Sequence, residues 1–406
     1  MGIRAFTCVA ILALSTLCTG CWDATEIDQL AIVVASGMDL VQHDDSQQPT
    51  FRGMLQIARP SELGTSGGGT PTTSTGSTGS YVLEQAEGPN ALATQDIMRK
   101  RLSRKLFVGQ RRVIILGEDY ARHGVYDLAD EILRNPQSRL RTYIVIAYHG
   151  TAQSILERPY PLNRLPADAI SDLERNGATP EVDAKQFLQR LTSKGDPFAM
   201  GIEQTSTLYD ASDNPSGAFA LTRIAIFQKD KLVGWLGSAQ LRGFIWIYGR
   251  AKREESTVNI PGTPGYITGR MLGNNTTRSI KIINGKPRID IHTRSEYDIS
   301  ENGTPLNLND PKNIQLVRSA ITKEVTSQIQ STMDTLQHKY HADSFGFSDL
   351  IDKKHPRMWA KMEKHWRETY SSMPVTVRVD VDIRNSGLTG PSLRGSQGTS
   401  LQRGAS

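Results

Sequence analysis

The chain has 406 residues, of which 38% are hydrophobic and 22% charged, and its formal net charge is +5. This composition suits a globular body of two or three domains, and no stretch after the first 20 residues approaches the length of a membrane span. The mild positive charge is compatible with an anionic lipid surface, but it is too diffuse to indicate a nucleic-acid-binding protein. No zinc-finger, RNP or helix-turn-helix signature is present, so we expect no nucleic-acid partner.

The first 21 residues have the layout of an export signal. Arg4 is followed by 16 uncharged residues, Ala5 to Gly20, and the run ends in Thr19-Gly20-Cys21. This run is short for a transmembrane helix, which needs roughly 20 apolar residues. Small residues followed by cysteine are typical of a bacterial lipoprotein signal, with cleavage before Cys21 and lipid, such as palmitate-containing chains, on that residue. The alternative is an uncleaved apolar anchor.

The cysteines limit the chemistry of the rest of the chain. There are three, Cys8, Cys18 and Cys21. Cleavage removes the first two and lipid occupies the third. The mature body therefore has no thiol to form disulfides, bind zinc or act as a nucleophile.

The N-terminal half predicts strands alternating with helices. Apolar runs followed by turn residues predict strands, whereas apolar residues at helical spacing predict helices. Strand, helix and strand between residues 113 and 147 predict a βαβ unit with a parallel pair. The Gly, Ser, Thr and Pro residues of 64–80 predict a flexible loop. The strands are expected near 30–35, 51–57, 113–116 and 143–147, and the helices near 89–102, 119–133, 150–157, 166–175 and 182–194.

The C-terminal half begins after a predicted domain boundary at 195–215. Ile314 to Tyr340 carries apolar residues at spacings of three and four, which predicts one long amphipathic helix. Val375 to Ile383 alternates strictly between apolar and polar residues, which predicts a strand with one buried face. A hairpin is expected over 219–235, further strands near 256–260, 266–272, 278–283 and 287–298, and a helix over about 356–370.

Two motifs resemble reactive sites, but the context of each favours a structural interpretation. Gly64 to Gly68 matches G-x-S-x-G, but it lies in the low-complexity loop, where the strained strand-to-helix turn of a hydrolase cannot form. His338, His341 and Asp343 have metal-ligand spacing, but solvated histidines at a helix end are the favoured interpretation.

Charged groups give no catalytic signal either. The paired carboxylates Glu254-Glu255 and Asp380/Asp382 show no reason for a perturbed pKa, because Asp380 and Asp382 lie on the exposed face of their strand. A basic series is interpreted mainly as a solvated face, with contact to anionic lipid or an acidic partner as the alternative. Its members are Arg99, Lys100, Arg101, Arg104, Lys105, Arg111 and Arg112. No Walker loop, dinucleotide fingerprint or H-E-x-x-H motif is present, so the sequence predicts no catalytic residue, cofactor site or metal site.

Six segments in order resemble the Ger(x)C family, the C subunits of bacterial spore germinant receptors. The resemblance runs from about residue 20 to 390. Its segments are Gly20-Cys21-Trp22-Asp23 with Glu26 to Val33, Ala58-Arg59-Pro60, Leu102 to Gln110 with Val113 to Ala121, Ala225 to Gly234 with Leu241-Arg242-Gly243, Asp343 to Phe347, and Pro356, Trp359 and Trp366 before the strand of Val375 to Leu388.

The resemblance implies an α+β fold with mixed sheets and packed helices, including the long helix in a C-terminal domain. It implies a signal peptide at 1–20, an N-terminal α/β domain at 21–200, a C-terminal α+β domain at 201–385 and a disordered tail at 386–406. It also implies a non-enzymatic lipoprotein, held by Cys21 on the outer face of the inner spore membrane. There it would work with receptor A and B membrane subunits in nutrient-triggered germination. The alternative function is a lipid-anchored extracytoplasmic protein that binds a small solute.

Overall fold

The computed structural model describes two mixed β-sheets with helices packed against both, which confirms the expected α+β class. Among the helices of the described ranges, none combines the length and the apolarity that a membrane crossing requires. The structure describes residue 2 and residues 25–41, 48–59, 80–158, 160, 162–176, 180–205, 218–249 and 254–387. Apart from residue 2, the predicted signal peptide lies outside these ranges. The lipid site Cys21, the G-x-S-x-G match, residues 64–79 of the predicted loop and nearly all of the predicted tail also lie outside them.

The larger sheet has nine strands and a parallel centre. Its central strands are rich in Val and Ile and are buried on both faces, as expected where helices cover a parallel sheet. In spatial order the strands are β3 (Tyr81–Gly88), β2 (Thr50–Ala58), β1 (Leu30–Val41), β5 (Val113–Leu116), β6 (Tyr143–Ala147), β7 (Phe198–Thr205), β8 (Ala218–Gln228) and β9 (Lys231–Leu236). The ninth, β4 (Lys105–Phe107), pairs with β1 in parallel.

Strands β1, β5, β6 and β7 run parallel, which confirms the predicted βαβ unit. Two short helices replace the single one expected between β5 and β6, because Gly124 adopts a φ of 139° and interrupts the helix. The helices of this half are α1 (Ala91–Arg99), α2 (Glu118–His123), α3 (Tyr126–Arg134), α4 (Ala152–Leu156), α5 (Pro166–Arg175) and α6 (Ala184–Leu191).

The first part of the predicted domain boundary at 195–215 is a strand in the structure. Residues Phe198–Thr205 form β7, which pairs with β6 on one side and with β8 on the other. Sheet pairing therefore continues from residues before 200 to residues after 218. Residues on both sides of the proposed domain division at 200/201 contribute to one sheet. The division itself stays a prediction.

The smaller sheet has four strands, β10 (Glu255–Asn259), β11 (Tyr266–Ile283), β12 (Lys286–Asn302) and β13 (Val375–Asn385). The two strands expected within 266–283 are one strand of 18 residues, with a register shift between Met271 and Gly273. Strand β13 pairs in parallel with β12, and its valines point inward while Asp380 and Asp382 are exposed. The alternation predicted for this strand is confirmed.

Helix α8 (Pro311–Asp334) is the predicted long helix, and it continues as a π-helical turn over Thr335–Lys339. Its apolar stripe is buried from Val317 to Met333, whereas Ile314 is partly buried. It crosses helix α7 (Ser238–Tyr248) at Gly243, where an added Cβ would lie 2.1 Å from the carbonyl oxygen of Gln328. The remaining helices are α9 (Phe347–Lys354), α10 (Pro356–Met362) and α11 (Trp366–Ser372).

Candidate functional site

The three residues with metal-ligand spacing do not converge. His338 Nδ1 lies 2.8 Å from Asp334 Oδ1, whereas His341 Nδ1 lies 2.7 Å from Ser371 Oγ. Asp343 is wholly buried and accepts hydrogen bonds from backbone and hydroxyl donors. Across the described residues, no group of three or more His, Cys, Asp and Glu side chains is arranged to hold a metal ion.

The basic series is dispersed rather than concentrated on one face. Arg111 is buried, and its guanidinium donates to Ser36 Oγ and Ser138 Oγ at 3.2 Å each, while burial lowers its pKa. Most of the others are exposed and form ion pairs within the body. These pairs are Arg99 and Lys100 with Asp96, Arg101 with Glu84, and Arg112 with Asp168.

The carboxylates of the pairs Glu254-Glu255 and Asp380/Asp382 lie in different environments. Burial raises the pKa of Glu254, whereas Glu255 is exposed and pairs with Arg270 at 3.4 Å. A hydrogen bond with His292 at 2.7 Å lowers the pKa of Asp380. The sequence argument against a raised pKa at Asp380 is confirmed. The argument missed Glu254, because sequence gives no sign of its burial.

The carboxyl ends of the parallel strands are where open α/β sheets commonly bind ligands. Two buried acidic residues at this edge, Asp39 and Glu118, both have structural partners. Asp39 accepts hydrogen bonds from the backbone N–H groups of Ala152 and Gln153 at 2.7 and 3.1 Å, although burial still raises its pKa. The carboxylate thus caps the start of α4.

Glu118 is the second acid at this edge. Burial alone would raise its pKa, but donors from Arg122, the His149 backbone and the Trp235 indole together lower it. The donor distances are 2.6, 2.7 and 3.3 Å. Because both oxygens accept hydrogen bonds from the protein, Glu118 is held as an ionised structural group.

A buried polar junction links the loop before β7 to the segment after the long helix. Asp196 is 4% exposed and accepts from Arg367 through both carboxylate oxygens, at 3.1 and 3.2 Å. The same carboxylate accepts from the backbone N–H groups of Lys229 and Asp343, each at 2.8 Å. In return, the Asp196 N–H donates to the Asp343 carbonyl at 3.0 Å. We call these groups the Asp196 junction.

The Asp196 junction continues into the Asp343 to Phe347 segment. Asp343 accepts from the N–H groups of Phe347 and Ser348, at 2.9 and 2.7 Å, and from the Ser348 hydroxyl. Burial raises the pKa of Asp343, while these hydrogen bonds oppose the rise. The sequence singled out this segment, but it gave no sign that Asp196 and Arg367 would be its partners, since they are 171 positions apart.

An open cleft of about 840 Å³ lies between α1 and α3. Its volume lies within the usual range for small-molecule sites. The floor is apolar, with Leu106 and Val108, and the polar lining includes Gln95 and Glu131. No aromatic side chain is in the lining. One Glu131 oxygen accepts from Asn135, and the other is buried without a hydrogen bond to the described residues.

A smaller groove of about 520 Å³ lies at the other side of β4, where β1 begins. Aliphatic side chains dominate its lining, among them Ile57, Val82 and Leu102. Ile27, in the turn before β1, is 68% exposed beside it. We call this region, with Arg59, Arg104 and Lys105, the amino-terminal edge.

Comparisons with known proteins match both halves of the chain. A model described as the spore germination protein N-terminal domain matches residues 23–204, and one described as spore germination B3/GerAC like, C-terminal, matches residues 222–387. YfkR of Bacillus subtilis (strain 168) is 28% identical over 386 residues, which are 94% of this chain and 97% of that protein. Spore germination protein KC of the same organism is 24% identical, over 91% of this chain and 92% of its own.

A solved structure has the same fold. The crystal structure of the GerBC protein aligns with a TM-score of 0.51 and 18% sequence identity. The alignment covers 89% of this chain and 100% of that chain.

Proposed function

The chain belongs to the Ger(x)C family, and from that premise we propose that it is a non-catalytic lipoprotein subunit of a spore germinant receptor. The observation that carries this proposal is the near-complete alignment with proteins named for spore germination, at 94% of this chain for YfkR. In this proposal the subunit works with membrane-embedded A and B subunits, and the complex triggers germination when a nutrient is present.

The non-catalytic role is supported by the state of the acidic residues. Asp39 and Glu118 occupy the edge where an α/β enzyme would place its chemistry, but their oxygens accept hydrogen bonds that hold helices and neighbouring strands. Asp196 and Asp343 are likewise saturated by donors. A general base needs an accessible lone pair within reach of a substrate, and these four carboxylates do not offer one.

The proposed anchor is lipid on Cys21, at the outer face of the inner spore membrane. A tether of this kind confines the body to a thin layer beside its partners and so raises its effective concentration there. Two acyl chains are enough for stable anchoring. The chain has no cysteine after Cys21, so attachment at that residue does not compete with disulfide formation in the body.

Deletion of the gene tests the function directly. Mutant spores should germinate poorly on at least one nutrient, measured as the fall in optical density of a spore suspension, and the wild-type gene should restore the response. A related gene could mask the loss, so the test should also be made with relatives deleted. Normal germination of that multiple mutant on every nutrient would exclude the proposed role.

Membrane fractionation tests the anchor. A Cys21→Ala variant should be released from the membrane or remain unprocessed, whereas Cys18→Ala should behave as wild type because that residue is removed with the signal. A Cys21→Ala protein that is still cut before residue 21 and still membrane-bound would contradict the anchor.

A second candidate function is binding of a small solute by the body itself. The 840 Å³ cleft between α1 and α3 favours it, because Gln95 and Glu131 offer polar groups above an apolar floor. Calorimetry with the purified protein and a panel of amino acids, sugars and nucleosides tests it. A Glu131→Gln variant should abolish any heat that arises from the cleft.

A further inference from the structure

The amino-terminal edge is where the described chain approaches the proposed lipid site. Residue Ile27 follows Cys21 by six positions, and an extended chain spans at most about 3.5 Å per residue. Ile27 therefore lies within roughly 20 Å of a lipid-bearing Cys21. Strand β1 starts three residues later at Leu30, beside Lys105 of β4. This end of the sheet is held close to the bilayer, although its orientation is not set by the tether alone.

The charge of the edge fits an anionic surface. Arg59, Arg104 and Lys105 are exposed, and within the described ranges none of them forms an ion pair. Glu26 and Asp28 are the exposed carboxylates beside them. Among the described residues of the edge, three cations thus exceed two anions, and Lys100 and Arg101 nearby pair with Asp96 and Glu84. Basic side chains left unpaired at a bilayer gain from its negative potential.

The apolar part of the edge is also placed to meet lipid. Ile27 is 68% exposed in a turn that buries none of its residues, and Leu102 lines the groove beside it. Water contact at such a side chain is unfavourable, whereas an interfacial position combines apolar insertion with headgroup contact for neighbouring arginines. An apolar groove bordered by Arg59 and Arg104 has this combination.

We propose that the amino-terminal edge lies directly on an anionic lipid bilayer and sets the orientation of the whole body. The proposal rests on the proposed function, because it assumes the lipid at Cys21. Strand β1 has 12 residues and, at about 3.3 Å per residue, places the opposite end of the sheet roughly 35 Å away. Gln204, at the carboxyl end of β7, is then far from the lipid, while Ser103 in the groove is at its surface.

Single-cysteine labelling of the full lipidated protein tests the orientation. The body has no native thiol after Cys21, so Ser103→Cys and Gln204→Cys can each carry one fluorophore. The proteins are reconstituted in phosphatidylglycerol vesicles that contain headgroup-labelled quencher lipid. Fluorescence should be lost at Ser103→Cys and retained at Gln204→Cys, and the loss should be smaller in phosphatidylcholine vesicles.

Charge reversal separates a specific contact from proximity caused by the tether. The double variant Arg59→Glu with Lys105→Glu should remove most of the quenching at Ser103→Cys. The control double variant, Lys286→Glu with Arg288→Glu, changes exposed positions of the smaller sheet and should leave the quenching unchanged. If the protein sediments with vesicles but the two labels fluoresce equally, the amino-terminal edge is not the face that contacts lipid. That result would contradict the proposed orientation but not the lipid anchor. Protein that does not sediment with vesicles would overturn the anchor and, with it, this proposal.

Discussion

Removal of the Arg367 guanidinium is the perturbation that most directly tests the Asp196 junction. In Arg367→Met the aliphatic stem is retained, but three donated hydrogen bonds are lost, two to Asp196 and one to the His341 carbonyl at 2.7 Å. Removing one partner of a fully buried ion pair costs about 3–5 kcal/mol, whereas an exposed pair contributes about 0–1 kcal/mol. The Arg367 side chain is 34% exposed, and Asp196 keeps two backbone donors. We therefore expect a loss of about 2 kcal/mol in the free energy of unfolding.

Urea unfolding at neutral pH measures this loss. The matched control is Arg384→Met, which breaks pairs with Glu296 and Asp382 on an exposed strand face and should leave stability nearly unchanged. The double variant Asp196→Asn with Arg367→Met should lose less free energy of unfolding than the sum of the losses in the two single variants, because the two side chains form a direct ion pair. Equal losses in Arg367→Met and Arg384→Met, or strict additivity in the double variant, would refute the role assigned to the junction.

Two further changes test buried positions, one in each half of the chain. Glu174 is completely buried, and burial raises its pKa well above the ordinary value of about 4.3, so the folded state holds the proton more tightly than the unfolded state. The contribution of Glu174 to stability is therefore fully present in acid and falls as the pH rises above the ordinary glutamate pKa. In urea unfolding, Glu174→Gln should be more stable than wild type at pH 8 but not at pH 4. An equal difference between the two proteins at both pH values would contradict this prediction. Gly243→Ala should cost about 1–3 kcal/mol in thermal or urea unfolding, since its Cβ would lie 2.1 Å from both Gln328 O and Thr332 Oγ1. Gly273→Ala meets nothing within 4 Å and serves as the control, so equal losses would disprove the close crossing of α7 and α8.

Elements with strong local periodicity were predictable from the sequence. The helical spacing from Ile314 to Tyr340 and the alternation from Val375 to Ile383 each fix which face is buried, whatever the partner. The parallel centre of the larger sheet was also predictable, because β5 and β6 are short apolar runs separated by a helical pattern.

Elements that depend on tertiary pairing were missed. Strand β3 contains Glu84, Gln85 and Glu87, and its ladder with β2 overrides this polar composition. Strand β7 follows Gly195 and Pro197, which read as a boundary, but its backbone is paired on both sides. Helix α7 carries a Phe-Ile-Trp-Ile run that has no helical periodicity, because the helix is buried against α8 and the smaller sheet.

The candidate sites show the same division. Cys21 is predicted from local sequence alone, since a lipoprotein signal needs no fold to be recognised. The Asp196 junction could not be predicted, because it joins residues distant in sequence whose common environment is created only by folding. The amino-terminal edge likewise brings together Arg59, which follows β2, and Arg104, which precedes β4, so their proximity is not visible in the sequence.

Germination of spores that carry single-residue variants at the native locus tests the central claim most directly. The claim is that the chain acts as a membrane-tethered germinant receptor subunit. Spores with Cys21→Ala should lose optical density more slowly after nutrient addition than wild-type spores, while spores with Cys18→Ala should match wild type. Wild-type germination of Cys21→Ala spores, with the variant protein shown to be absent from the inner membrane, would contradict the claim.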